Sequence, residues 1–246
     1  MDRDAKLAEL KTALDSVRPF AGDALVEADR YFDVFITYTS NAIEGSTLTH
    51  GETGILIEKG ITVGGKSIKD HLAALDHHAA MGFIREVARS ERPLNESVVC
   101  NLHRQVVLRD TSVMGGRYAT SMRMAAGTGV IYPNTAKVPI LMKSFGEALE
   151  KAEAGPDSAL NAHLQIASIH PFSDGNGRTA RLLMNMVLLR AGFAPLSVGP
   201  EHRSQYIDVL AKVQKTGAIE AYTEFMKNRL IETMSQYVAV VARGKI

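Results

Sequence analysis

A chain of 246 residues can bury a sizeable core without disulfide staples, and 46% hydrophobic with 22% charged residues excludes both disorder and a fibrous architecture. Its 28 basic and 27 acidic residues leave a formal charge of +1, so no global field draws it to nucleic acid or an acidic membrane, and any anion site is local. Cys100, the single cysteine, forms no intramolecular disulfide; residues 1–10 lack the apolar stretch of a secretory signal, and the longest apolar runs are too short or too broken to span a bilayer, which points to a cytoplasmic protein.

Along residues 24–44 the apolar Leu25, Ala28, Phe32, Phe35, Ile36 and Ile43 recur at helical steps, and Gly45 is a natural stop. Residues 46–66 carry Gly51, Gly54, Gly60, Gly64 and Gly65 and read as turns and short irregular pieces. Helices are expected over 68–89 and, opened by a cap at Asn95, over 94–108. Between Met114 and Pro139, glycines and prolines punctuate two short runs, 118–124 and 130–132, which suggests a small hairpin. Helical patterns resume over 139–154, 158–169, 178–191, 201–216 and 218–241. The expected fold is all-α with one β-hairpin.

Between the helices at 158–169 and 178–191 runs His170-Pro171-Phe172-Ser173-Asp174-Gly175-Asn176-Gly177-Arg178-Thr179-Ala180-Arg181. Pro171, Gly175 and Gly177 break the helical path and let backbone approach a ligand, and a loop opening onto a helix N-terminus is an anion site. Arg178 and Arg181, three residues apart, share a helix face and can reach one polyphosphate. Asp174 offers the hard oxygen that magnesium prefers beside phosphate oxygens. His170 is left as a general base.

This run resembles the signature of the Fic family, and the wider resemblance covers most of residues 30–230. The resemblance implies a Fic-type helical bundle in which His170 deprotonates a target hydroxyl and Asp174 holds Mg2+. It further implies that Asn176 meets the α-phosphate, Gly175 and Gly177 line an anion hole, Arg178 and Arg181 hold the β- and γ-phosphates, and Phe172 packs inward. Tyr206 resembles a residue lying against adenine. A hairpin flap at about 122–132, with Met122, Arg123, Met124, Val130, Ile131 and Tyr132, would dock the target segment. Relatives with lysine at the place of Gly177 can bind the nucleotide reversed; glycine favours transfer of AMP from Mg·ATP to a Ser, Thr or Tyr hydroxyl of a target protein, the chain itself included.

Ser40-Asn41-Ala42-Ile43-Glu44-Gly45 resembles the Fic inhibitory motif, which makes residues 24–45 an inhibitory helix. A carboxylate at a helix C-terminus faces the negative end of the dipole, which a distant cation would repair. By resemblance that cation is Arg181, and the pairing of Glu44 with it keeps the γ-phosphate from its productive position. The expected organisation is an N-terminal helical region over 1–92, a catalytic core over 93–235 and a tail over 236–246.

Gly60-Ile61-Thr62-Val63-Gly64-Gly65-Lys66-Ser67 matches the Walker A pattern by letter, but no parallel-sheet context surrounds it, so it reads as a turn before the next helix. His77 and His78 lie on different helix faces, and His163 has no carboxylate at ligand spacing, so no zinc site is expected. His103 and Cys100 read as ordinary core or surface residues. Two other functions use the same residues: a hydrolase removing AMP, with Glu44 orienting a water, and a non-catalytic module holding a peptide by strand addition. No basic cluster or helix-turn-helix supports nucleic-acid binding. The sequence leaves the oligomeric state open, a homodimer included.

Overall fold

The computed structural model describes residues 2–16, 23–121 and 129–243. Among these, ten α-helices form and no sheet does: α1 Arg3–Ser16, α2 Asp23–Ile43, α3 His50–Lys59, α4 Ile68–Ala88, α5 Glu96–Val106, α6 Val138–Lys151, α7 Pro156–Ile169, α8 Asn176–Arg190, α9 Arg203–Thr216 and α10 Glu220–Arg243. No helix is long and apolar enough to cross a membrane.

The centre of the bundle is α8, whose Leu182, Leu183, Met184, Met186 and Leu188 are fully buried. A helix buried on all sides needs neighbours on all sides, and α8 has them in α7, α4, α5 and α2. Burial of each such side chain contributes about 1.5–3 kcal/mol. The first and last helices meet where α1 lies on α10, so one hydrophobic cluster runs from Leu7 to Val241.

The expected helices form, with their ends shifted by a turn or less. Two more appear. The first, α1, buries Leu7, Leu10 and Leu14 at steps of three and four. The second, α3, overturns the irregular reading of the glycine-rich stretch. Thr49 and Glu52 make a reciprocal capping box that outweighs the entropic cost of Gly51 and Gly54, and only Gly60, left-handed at φ 67°, ends the helix. The Walker-like letters fall on that stop and on the next start: Ser67 caps α4 through the Asp70 N–H, while Lys66 bonds the Thr47 carbonyl and pairs with Glu52. It is a turn, as its context indicated.

Of the expected flap, Met122, Arg123 and Met124 lie outside the described residues, and a hairpin is not shown. The segment leading to it pairs instead with the histidine loop, through an isolated bridge between Tyr118 and Phe172 and a 2.9 Å bond from the Ala119 N–H to the Pro171 carbonyl.

Candidate active site

The histidine loop turns sharply between α7 and α8. His170 is the last cap of α7 and, at φ 50°, the one non-glycine residue of positive φ among those described. Such a conformation needs support from its surroundings. Phe172 supplies part of it, fully buried, its ring stacked on His103 at a centroid distance of 3.7 Å with Tyr118 alongside. Asn176 supplies the rest: its side chain accepts from the Phe172 N–H and donates to the Phe172 carbonyl, both at 2.8 Å.

His103 also braces the loop from outside. Its Nδ1 accepts from the Gly116 N–H at 2.8 Å, so the ring proton sits on Nε2 and is donated to the Asp174 carbonyl at 3.0 Å. Gly175 follows with φ 75°, and a Cβ there would lie 2.9 Å from Val107 Cγ1. Position 175 therefore demands glycine on two independent counts.

At Gly175 the chain enters α8, whose first helical bond is made by the Thr179 N–H to the Gly175 carbonyl at 2.9 Å. The N–H groups of Asn176, Gly177 and Arg178 have no acceptor within the helix, and with the dipole they make the start of α8 receptive to an anion. It opens into a cleft of about 760 Å3 whose walls include His170, Gly177, Arg181, Tyr206, Tyr132 and Glu44. The ring of Tyr132 stacks on His170 at 3.8 Å, nearly parallel.

Glu44 reaches this cleft from the far end of α2. The helix ends in a reciprocal backbone cap, Ser46 N–H to Asn41 carbonyl and Gly45 N–H to Ala42 carbonyl, both 3.0 Å, with Gly45 at φ 96°. That geometry sets Glu44 against the start of α8, so that a Cβ on Gly177 would overlap its carboxylate. Arg181, buried in α8, donates to Glu44 Oε1 at 2.7 Å and to the Ser40 hydroxyl and carbonyl at 2.9 Å each. Arg203 donates to the Ile43 carbonyl at 2.8 Å. Two cations thus neutralise the carbonyl end of α2. Burial pushes the Glu44 carboxyl upward, yet the Arg181 charge and hydrogen bond, with Arg178 and Arg203 behind them, hold it below the usual range. Its side chain is still 45% exposed, toward the cleft.

The structure brings His170, Gly177, Arg181, Glu44 and Tyr206 together. Tyr206 forms cleft wall with its hydroxyl turned inward to His163 at 2.8 Å. Arg178 goes elsewhere. Three residues along a helix differ by about 60° in direction, and its buried guanidinium faces the end of α5, 3.5 Å from the Val106 carbonyl and 4.0 Å from Asp174. Asp174 is half exposed and accepts from the Gly175 N–H at 2.6 Å. Among the described residues no three metal-ligating side chains cluster, so a metal here would rest on Asp174 and on its other ligands. Magnesium, which typically takes one or two carboxylates and completes its shell with phosphate oxygens and water, fits such a site. Of the flap residues, Ile131 is exposed, Val130 is buried and Tyr132 meets the histidine.

In the sequence His103 reads only as an ordinary core or surface residue and His163 is weighed only as a zinc ligand, while Arg203 goes unmarked. His103 carried a signal only in hindsight, since the cap at Asn95 fixes a helix whose buried face includes Val99, Leu102, His103 and Val106.

The Fic/DOC family model matches residues 93–188. The protein adenylyltransferase Fic of Aedes aegypti is 32% identical over 96% of this chain, which covers 48% of that relative; the chain thus spans about half the length of the curated relatives it matches. Among solved structures, a Fic domain containing signaling protein from Bacteroides thetaiotaomicron superposes with a TM-score of 0.86 at 27% identity, covering 96% of this chain and 97% of the other. Fic-1 from C. elegans gives 0.85 at 26%, covering 98% and 73%.

Proposed function

The chain belongs to the Fic/DOC family through residues 93–188, and from that premise we propose that it transfers AMP from ATP to a Ser, Thr or Tyr hydroxyl of a protein and that Glu44 restrains the transfer. One observation carries the reading. A single cleft holds a histidine on a strained loop, an anion-receptive helix start floored by Gly177, and an arginine already engaged by a carboxylate of the same chain.

In this mechanism the target hydroxyl oxygen forms a bond to the α-phosphorus while the bond to the bridging oxygen of pyrophosphate breaks, and His170 takes the hydroxyl proton. The phosphates lie along the start of α8, and Arg181 holds the terminal one. Because the Asn176 side chain is committed to the loop, its contribution to phosphate comes from the backbone N–H. Asp174 would hold Mg2+, which when bound neutralises charge on the phosphates. Glu44 competes with the terminal phosphate for Arg181, and its carboxylate fills the space over Gly177.

Glu44 faces the same cleft as His170, which also favours removal of AMP from a modified target as a second activity of the site. Both readings are tested in one background. Glu44→Gly with labelled ATP should modify itself or a lysate protein, and adding His170→Ala should lower that rate at least about 100-fold with ATP affinity preserved. Retention of more than about a tenth of the rate would remove His170 as the base. Release of AMP from a pre-modified protein by wild type but not by Glu44→Gly would establish the second activity.

A further inference from the structure

Behind the cleft, the Arg181 guanidinium is the outer end of a buried chain of polar groups. The Tyr222 hydroxyl, fully buried, donates to the Leu160 carbonyl at 2.8 Å. Its one proton being spent there, it can only accept from His163 Nδ1, also at 2.8 Å. The proton of His163 is thus on Nδ1, and Nε2 is an acceptor. The Tyr206 hydroxyl must then donate to Nε2 across its 2.8 Å contact. That turns the proton of Tyr206 away from Arg181 and leaves its oxygen lone pair for the guanidinium, beside which it lines the cleft.

Resting on the function proposed above, we infer that His163, held in one tautomer by Tyr222, is a positioning residue that makes Tyr206 a standing acceptor for Arg181 and so sets that arginine for the terminal phosphate. For a neutral ring the hydrogen-bond directions leave no other arrangement of the protons. A fully buried histidine with a hydroxyl on each ring nitrogen has both its polar atoms satisfied. Burial, and then the Arg181 charge, lower its pKa to about 3, so the ring stays neutral at every working pH and the chain of protons keeps one sense. A positively charged ring would donate from both nitrogens, and Tyr206 would then turn its own proton toward Arg181.

Arg181 thus has partners on two sides: Ser40 and Glu44 hold it from the side of α2, while the Tyr206 oxygen stands beside it from α9. When the Glu44 carboxylate leaves, Ser40 and Tyr206 remain, and the freed guanidinium stays aimed at the cleft. Tyr206 is accordingly a wall of the cleft whose hydroxyl serves the arginine.

The test compares ATP with AMP, since only ATP carries the phosphates that Arg181 reaches. In the Glu44→Gly background, calorimetric binding of each nucleotide is measured before and after Tyr206→Phe, and separately His163→Leu. Loss of one neutral hydrogen bond from Arg181 should weaken ATP about 2- to 12-fold with AMP unchanged, so the ratio of the two affinities falls. Equal weakening of both nucleotides, or no change in either, would overturn the inference. If His163→Leu fails to fold, Tyr206→Phe decides together with long-range 15N–1H NMR of the unsubstituted protein. The NMR should show a neutral His163 with its proton on Nδ1; a proton on Nε2 would overturn the inference by itself. Failure of Glu44→Gly to bind ATP at all would instead count against the proposed function, so the two failures are distinguishable.

Discussion

Replacing Glu44 by glycine removes one hydrogen-bonded charge pair and clears the floor of the anion pocket, and the structure bounds what each is worth. The 2.7 Å bond joins a buried arginine to a carboxylate whose side chain is 45% exposed. A charge-assisted bond contributes about 1.5–3 kcal/mol when shielded, and an exposed pair at most about 1 kcal/mol. A half-exposed carboxylate on a buried arginine falls between, at about 1–2 kcal/mol, or about 5- to 30-fold in the competition between Glu44 and a terminal phosphate. Clearing the carboxylate from Gly177 adds a steric gain in the same direction. The assay is incorporation of labelled AMP by wild type, Glu44→Gly, Arg181→Ala and the double variant. Glu44→Gly should gain roughly the factor above, and the double variant should lose it, because the released arginine is what the substrate uses. Glu58→Gly, which removes an exposed carboxylate paired on the surface with Arg30, should change nothing. Equal rates for wild type and Glu44→Gly, or a gain that survives loss of Arg181, would refute the competition.

Asp174→Ala should flatten the dependence of turnover on magnesium while leaving metal-free ATP binding unchanged, and a normal magnesium titration would remove Asp174 as the ligand. Gly175→Ala forces a side chain into φ 75° and against Val107 at 2.9 Å, so thermal denaturation should show a loss of about 1–3 kcal/mol together with loss of transfer; an unshifted melting curve would refute the strain. The Glu44 carboxyl is held below its ordinary value, so the pair stabilises fully above the unfolded carboxylate pKa and is lost only as pH falls through the lower folded one. The ratio of Glu44→Gly to wild-type activity should therefore stay constant over about pH 6–8, and a ratio that collapses within that window would mean that another group controls the restraint.

What the sequence disclosed and what it concealed divide along the distance over which the causes act. The helices are legible because apolar periodicity and caps are local, as at Asn95, whose side chain accepts from the Ser97 and Val98 N–H groups. The histidine loop is legible for the same reason: its glycines and helix start are consecutive. The α3 helix was obscured because glycines are read as breakers, whereas the capping box between Thr49 and Glu52 decides locally against them. Arg178 shows a subtler limit. Spacing places it near the face of Arg181, but the direction of a long side chain depends on its surroundings, here the end of α5 and the Val106 carbonyl.

His103 and His163 were illegible for a different reason. Each is an ordinary member of a helix until partners outside that helix fix which nitrogen carries the proton: Gly116 and Asp174 for one, Tyr206 and Tyr222 for the other. The placement of Glu44 belongs to the same class. The motif Ser40 to Gly45 supplies the reciprocal cap that aims the carboxylate, but its register against α8 is set farther back along α2. Asp33 there pairs with Arg85 at 2.7 Å, the buried Thr37 meets His77 at 3.1 Å, and Thr39 meets Ser197 at 2.7 Å. Unmaking such buried polar contacts leaves unsatisfied groups at about 1–3 kcal/mol each. Beyond them Arg181 holds Ser40 and Arg203 holds the Ile43 carbonyl, so that Glu44 itself is held only by the Arg181 pair and its own backbone cap, followed by a glycine already left-handed. The least costly displacement of the carboxylate is therefore a local one at Glu44 and Gly45, with the rest of α2 remaining seated.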